Sequence, residues 1–438
     1  MASNTADTKA VGGKLASGFR ALRHRNYRLF FFGQLVSLIG TWMQSVAQSW
    51  LVLQLAGKDA DWLLGVTSAL QFTPVLFLSV FGGALADRLP KRNVLLVTQS
   101  VMMALAFVLG LLNLLHLVQI WHVLVLAALL GIANAVDMPT RQAFVVELVG
   151  KDDLMNSIAL NSMIFNAARI VGPAVAGLLI GLFGITVCFF LNSVSFLAVL
   201  AGLLLMRAPF FVRAGAARAG GAGWRGVLEN IAEGFRYVRR TPSIFYLIMM
   251  VGAVGTFGMN FSVWMPVMAR DVLHVGASGY GLMMSVMGVG SLGAGLALAY
   301  SAGQTRRHLM VGAAAAFGLV LLAFAGSSWF PLSLALMALL GMAMAAFSAT
   351  ANTTVQLTVP DQLRGRVMAV YMMVFAGTTP IGGLMAGGIA HLTNTPISLA
   401  VGAIVSLLAV GFTWRMSRGV LGRSAVQHHS HQPAVERG

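Results

Sequence analysis

Four groups of polar residues stand where they could do chemistry in an otherwise apolar chain. The stretch GGALADRLPKR (82–92) sets one carboxylate, Asp87, among Arg88, Lys91 and Arg92. A carboxylate at a helix end accepts hydrogen bonds from backbone N–H groups and basic side chains, so such a cluster can hold one conformer closed and release it in another. The other reading is a basic loop that only sets topology, with Asp87 solvated. NAVDMPTRQAF (134–144) places Asn134, Asp137 and Arg141 three and four residues apart, on one helix face. Arg169 shares a face with Ser162 and Asn166. A central arginine costs about 2.5–3.5 kcal/mol in hydrocarbon, so it should face a cavity or a partner. An anionic substrate and a structural bond to helix-end carbonyls both fit. Gln34, Ser37, Thr41, Gln44 and Gln48 recur at spacings of three and four and form one polar stripe. A stripe like this turns toward a water-filled cavity or polar neighbours. Trp42 beside it either stacks a flat substrate or packs.

These groups suit gating and binding rather than bond-making. An intramembrane hydrolase needs a nucleophile with a base, or paired His and carboxylates, and Asp137 has no such company. The single cysteine, Cys188, excludes an intrachain disulfide, and no Cys or His spacing is of the metal-binding kind. His116, His122, His274 and His391 lie near outer helix ends, and His428, His429 and His431 form a solvated tail cluster. The glycine-rich stretches lack the Lys and Ser/Thr of a nucleotide-binding loop. No cofactor, no metal and no ATP-driven step is expected.

The elements that must carry these residues follow from composition. The chain of 438 residues is 58% hydrophobic and only 10% charged, against about 25% charged for a water-soluble domain. A surface short of charge faces lipid. Crossing the hydrocarbon takes about 20 apolar residues per helix, and twelve candidates are present: 29–53, 63–86, 93–115, 120–140, 155–180, 184–206, 244–267, 279–302, 309–328, 331–355, 367–390 and 396–414. Unsatisfied backbone is too costly in lipid for any other spanning form here. The first apolar run begins near residue 29 and is too long for a signal-peptide core.

The net charge is +16, with 29 Lys and Arg against 13 Asp and Glu. The basic residues gather in the N-terminal tail (Lys9 to Arg28) and in alternate loops: Arg88, Lys91 and Arg92; Arg141 and Lys151; 207–240; Arg306 and Arg307; Arg364 and Arg366. The opposite loops hold only Lys58 and Arg270. This asymmetry predicts cytoplasmic termini in an inner (plasma) membrane, and it accounts for the charge without nucleic acid. Trp62, Trp121, Trp264 and Trp329 are predicted at outer helix ends, as an aromatic belt.

The chain is therefore predicted to comprise a cytoplasmic tail (1–28), a six-helix bundle (29–206), a linker (207–243), a second six-helix bundle (244–416) and a cytoplasmic tail (417–438). The linker opens with RAGAARAGGAG (213–223), flexible and basic. It continues as WRGVLENIAEGFRYVRR (224–240), whose apolar residues recur at helical spacing. That is a helix on the cytoplasmic membrane surface, or else a solvated linker helix. VGKDDLMNSIAL (149–160) parallels TVPDQLRGRVMA (358–369), so the halves are weak repeats.

Gly83, Asp87, Arg88, Lys91 and Arg92 resemble the loop signature of the major facilitator superfamily, and the resemblance covers the whole chain. Pro90 stands where the family usually has Gly. The implied fold is an all-α membrane protein of twelve transmembrane helices in two six-helix pseudo-repeats. By the same resemblance Asp137, with Arg141, pairs with the basic loop as part of a gate; proton carriage and a snorkelling acid are the other roles open to it. Gly172, Pro173 and Gly177 resemble the helix-five signature of superfamily antiporters, with Ala168 and Ala176 in place of glycines; a plain packing kink is the other reading. EGFRYVRRTP (233–242), DMPTRQAFVVELV (137–149) and NAARIVGPAVAG (166–177) look like the branch of multidrug exporters and enterobactin-type siderophore exporters. What this implies is secondary efflux of a small amphiphilic compound, drug-like or a siderophore, coupled to proton entry; lipid and proton are the expected partners, and a monomer is one of the oligomeric states left open. The alternative is an uptake permease or lipid transporter of the same fold. The substrate cavity is expected around Gln34, Thr41, Trp42, Gln44, Gln48, Asn166 and Arg169. Span one holds no acid, where the family often carries its proton.

Overall fold

The computed structural model describes residues 19–207, 224–300 and 306–429. Lys9, Lys14, the 213–223 linker and His431 lie outside the described residues. Fourteen helices of seven residues or more account for nearly all of it: α1 (Arg25–Ala56), α2 (Ala60–Arg88), α3 (Lys91–Leu114), α4 (Ile120–Val149), α5 (Leu154–Phe183), α6 (Ile185–Leu204), α7 (Trp224–Arg240), α8 (Pro242–Gly258), α9 (Phe261–Val267), α10 (Gly276–Tyr300), α11 (Arg306–Ala325), α12 (Phe330–Thr358), α13 (Asp361–Leu392) and α14 (Thr395–His429). Eleven helical runs among the described residues are long and apolar enough to cross a membrane. The first of them, Arg25–Arg88, is α1 and α2 joined through Gly57, whose φ of 53° lets the chain reverse. The predicted twelve crossings are thus present among the described residues, whose regular structure is all helical, in the twelve-helix major facilitator architecture.

Most helices run past the predicted spans. α4 continues to Val149, so Arg141 and Glu147 are helical rather than in a loop. The spans mark where the sequence is apolar, whereas a helix continues until its backbone meets a stop. Prolines supply two of these stops. Leu89 closes α2 by donating to Leu85 O, and Pro90 O accepts from the N–H groups of Asn93 and Val94 to open α3. Pro360 opens α13 in the same way, accepting from Leu363 N.

Span seven departs from expectation. The sequence predicts one helix over 244–267, but the helix breaks between Gly258 and Phe261. Asn260 is buried there and donates from Nδ2 to Thr256 O at 2.7 Å, taking a carbonyl the helix leaves unpaired. Trp264 corrects the aromatic-belt expectation. It is 1% exposed and donates through Nε1 to Ser398 Oγ at 3.0 Å. The break turns its ring inward, where the indole N–H needs a partner. Trp62, Trp121 and Trp329 are exposed, as a belt requires.

The chain divides into two compact units, Met1–Ala219 with Met265–Gly288, and Gly220–Trp264 with Val289–Gly438. In the first, Tyr27, Phe30, Leu95, Phe144, Ile164 and Leu203 form a buried cluster that joins α1, α3, α4, α5 and α6. Phe30 meets Phe144 edge to face at 5.6 Å. In the second, α8 packs on α13 and α14, and α11 on α12 and α14. Lipid gives no hydrophobic drive between helices, so close packing and interhelical hydrogen bonds hold such bundles together.

Candidate functional site

The polar interior of the first unit is built around Asp137, which is fully buried on α4. Its Oδ1 accepts from Thr98 Oγ1 and Gln99 Nε2, each at 2.8 Å, both from α3. Its Oδ2 accepts from Arg141 Nε at 3.0 Å and from Arg141 Nη2, one turn further along α4. Arg141 Nη1 then donates to Gln34 Oε1 on α1 at 2.7 Å. One carboxylate thus links three helices. Gln34 Nε2 and Gln99 Oε1 are buried at this network with no hydrogen-bond partner among the described residues. Loss of one member leaves the others buried and unpaired, which makes such a network sensitive to any change of charge.

The basic loop takes other partners. Lys91 Nζ bonds Glu147 Oε1 at 2.5 Å. Arg92 donates to Leu203 O at 2.7 Å and Leu204 O at 3.2 Å, capping the last carbonyls of α6. Asp87 and Arg88 are exposed at the end of α2 and make no ion pair among the described residues. Gly83 has open space where a side chain would stand. The structure therefore brings Asp137 and Arg141 together and holds Lys91 and Arg92 by other groups. It does not join Asp137 to the loop.

The stripe on α1 finds polar neighbours along most of its length. Gln44 Oε1 accepts from Asn192 Nδ2 on α6 at 2.5 Å. Gln48 Nε2 donates to Gln71 Oε1 on α2 at 3.2 Å. Ser37 is buried, whereas Thr41 is exposed and donates back to Ser37 O. Trp42 is half-buried and meets Phe165 edge-on at 5.7 Å.

On α5, Arg169 donates from Nη2 to Asn166 Oδ1 at 3.3 Å, and Asn166 in turn donates to Ser162 O. The Arg169 Nε is buried without a hydrogen-bond partner among the described residues. Pro173 has no N–H for the Arg169 carbonyl one turn before it. The first part of α10, Gly276–Gly288, belongs to the same unit and lies against this helix. Ser285 Oγ donates to Ile170 O at 2.7 Å and Ser278 Oγ to Gly177 O at 3.0 Å. A Cβ on Gly172 would stand 2.5 Å from the Trp42 Cβ, and one on Gly177 3.0 Å from Ser278 O. The small residues of the helix-five motif therefore sit where neighbouring chain comes closest.

Sequence reasoning missed several members. Thr98 and Gln99, adjacent polar residues in an apolar run, were the available signal for a partner to Asp137. Glu147 and Asn192 gave none, because their partners are 56 and 148 residues away. A further acid, Asp153, sits just before α5 and is buried. It is held by Arg20 at 2.6 Å, Arg23 at 2.9 Å and His24 at 2.8 Å, while Ala21 N donates to Asn156 Oδ1. The hydrogen bond from His24 is the largest influence on Asp153; burial opposes it, Arg20 and Arg23 add to it, and the carboxyl is held below its ordinary range.

The described residues provide the helices for twelve crossings, and in the first unit these carry a linked set of buried charges and amides. The sequence matches the transmembrane secretion effector family over residues 16–437. The chain belongs to that family, within the major facilitator superfamily. It is 26% identical to a staphyloferrin A transporter of Staphylococcus aureus, across 82% of this chain and 88% of that one. It is 28% identical to the multidrug efflux pump Tap of Mycolicibacterium fortuitum, across 85% and 92%. Among solved structures, a bacterial homologue of the human lysosomal transporter Spinster, inward-facing and unoccupied, superposes with a TM-score of 0.70 at 13% identity, covering 91% of this chain and 98% of that one. That likeness concerns the fold alone. The relatives are transporters rather than enzymes, and the family implies a small-molecule substrate.

Proposed function

We propose that the protein is an exporter of the inner membrane, with both termini cytoplasmic, that moves a small amphiphilic compound outward by alternating access coupled to proton entry. The observation that carries this reading is the buried Asp137–Arg141 pair, tied through Gln34 to α1 and through Thr98 and Gln99 to α3. A proton arriving on Asp137 would remove the negative charge that holds Arg141 and add an O–H donor where Arg141 also donates, so their pairing weakens. That leaves Arg141 held by Gln34 alone, so the tie between α4 and α1 no longer rests on the carboxylate. A proton is thereby converted into a change of helix contacts, which is what coupling requires. Span one has no acid to take this role. The name of one relative, a multidrug efflux pump, supports efflux of drug-like compounds, and that of another, a staphyloferrin A transporter, supports a small-molecule cargo.

Asp87 and Arg88, without an ion pair among the described residues, fit a gate whose partners engage in another conformer. Arg169, with its unpartnered Nε beside Asn166, is the group we assign to an anionic or hydrogen-bond-accepting part of the substrate. On the α1 stripe, exposed Thr41 and half-buried Trp42 are the members left to meet the substrate, while Gln34, Gln44 and Gln48 are buried in bonds between helices and stand behind them. Inverted vesicles challenged with a panel of dyes, macrolides and catecholate siderophores test the direction. Uptake into such vesicles is the expected result, and loss of preloaded compound from them would favour a permease.

A further inference from the structure

We propose that the outer face of α7 binds the headgroups of anionic phospholipids, with Arg236, Arg239 and Arg240 on the phosphate oxygens and Phe235 at the acyl boundary. The proposal rests on the bundle reading above only for which leaflet the helix addresses.

The inner face of this helix is already occupied. Gly234 is buried against α13, and a Cβ there would stand 2.6 Å from Arg366 O. Val238, one turn on, is 4% exposed. Glu233 pairs with Arg366, so the one contact that spends an acid of α7 also fixes its rotation. Gly234 and Val238 are thus turned toward the protein, whereas Phe235 is exposed.

At about 100° per residue, Phe235, Arg239, Ala232, Arg236 and Arg240 follow one another around the side facing away from Gly234. All five are exposed. They border an open hollow of about 580 Å³. None of the three arginines has an ion-pair partner among the described residues. The remaining acid on this side, Glu229, is exposed and lies about 10 Å along the axis from Arg236.

Position selects the occupant. Arg240 is separated by one residue from Pro242, where α8 begins its crossing, so this end of α7 lies at headgroup depth. Guanidinium groups present planar forks that match phosphate oxygens, and their weak hydration suits an interface. An exposed phenylalanine, 39% accessible, beside the arginines fits a lipid better than a free phosphate ion, which would gain nothing from it. Because α7 is keyed to α13 through Gly234 and Glu233, a bound headgroup would also brace the cytoplasmic end of α13.

The test is native mass spectrometry of the full chain in detergent, with phosphatidylglycerol and phosphatidylcholine offered in equal amounts. The wild type should retain phosphatidylglycerol preferentially. Each of Arg236→Gln, Arg239→Gln and Arg240→Gln should lower that preference by about fivefold or less, and the triple variant should abolish it. Lys58→Gln, in the loop after α1, should leave it unchanged. A salt titration of the wild type decides the question without any variant. Preference should fall between about 50 mM and about 500 mM salt, because screening shortens the reach of the arginines. Equal retention of the two lipids, a preference insensitive to salt, or an equal loss in the Lys58 control would overturn the proposal. Retention is read without transport or orientation, so its failure leaves the exporter reading untouched.

Discussion

Replacing Asp137 by Asn keeps shape and removes charge, so it isolates the electrostatic part of the buried network. The carboxylate accepts from Arg141, Thr98 and Gln99. An amide in its place can still accept through one oxygen, but its NH₂ group would face donors. Arg141 loses its counter-charge and keeps only Gln34. Removing one partner of a fully buried pair costs about 3–5 kcal/mol. Arg141 keeps 26% of its side chain accessible, so the penalty should fall to about 2–3 kcal/mol, since the stranded cation retains some solvent. Arg141→Gln should cost more, about 3–5 kcal/mol, because Asp137 is stranded with no exposure at all. The double variant strands neither charge. It should therefore be less damaged than the sum of the two, with a coupling of about 2 kcal/mol. Equilibrium unfolding in mixed micelles, run on all four proteins, reads this directly. Additive losses would refute the claim that the two residues act as one unit.

Other expected outcomes are simpler to state. Asp87→Asn should leave expression and unfolding unchanged, because the side chain is exposed and unpaired here, yet impair flux by shifting the conformer balance; normal flux at normal expression would remove Asp87 from the gate. Arg169→Gln should raise the apparent KM for anionic substrates more than for neutral dyes, and Arg169→Lys should recover only part of the loss, since it keeps charge without the planar fork; equal losses for both substrate classes would make Arg169 a brace for the kink at Pro173. Asp153 has a native pKa below its ordinary value, so its hold on Arg20, Arg23 and His24 is present above the ordinary carboxylate pKa and is lost as the pH falls through the native one. Hydrogen exchange at residues 20–24 should thus stay slow at neutral pH and speed up there in Asp153→Asn, and unchanged exchange in that variant would show that the anchor lies elsewhere.

The architecture was legible because lipid imposes one rule on every crossing, that apolar length and internal hydrogen bonding go together. The twelve spans and the amphipathic 224–240 segment could be read directly from that rule. So could the common face of Asp137 and Arg141, since four residues make about one turn. The partners across helices could not. Nothing local ties Lys91 to Glu147 or Gln44 to Asn192, because those contacts depend on how helices distant in sequence pack. The break at Asn260 was hidden for a related reason. Gly258 and Asn260 are tolerated inside membrane helices, and only the Asn260 bond to Thr256 O shows that the chain departs from the helix there. Asp153 read as part of a weak repeat, and its burial became visible only once the 20–24 turn was seen folded over it.

The central claim is that Asp137 and its partners couple outward transport to a proton gradient. Its most direct test is accumulation of a transported dye in inverted vesicles, with an acid-inside gradient imposed and ATP withdrawn. The account predicts accumulation that collapses when the gradient is dissipated and is abolished in Asp137→Asn vesicles under the same gradient. Accumulation that requires ATP while the gradient is held, or that persists at wild-type rate in Asp137→Asn, would contradict it.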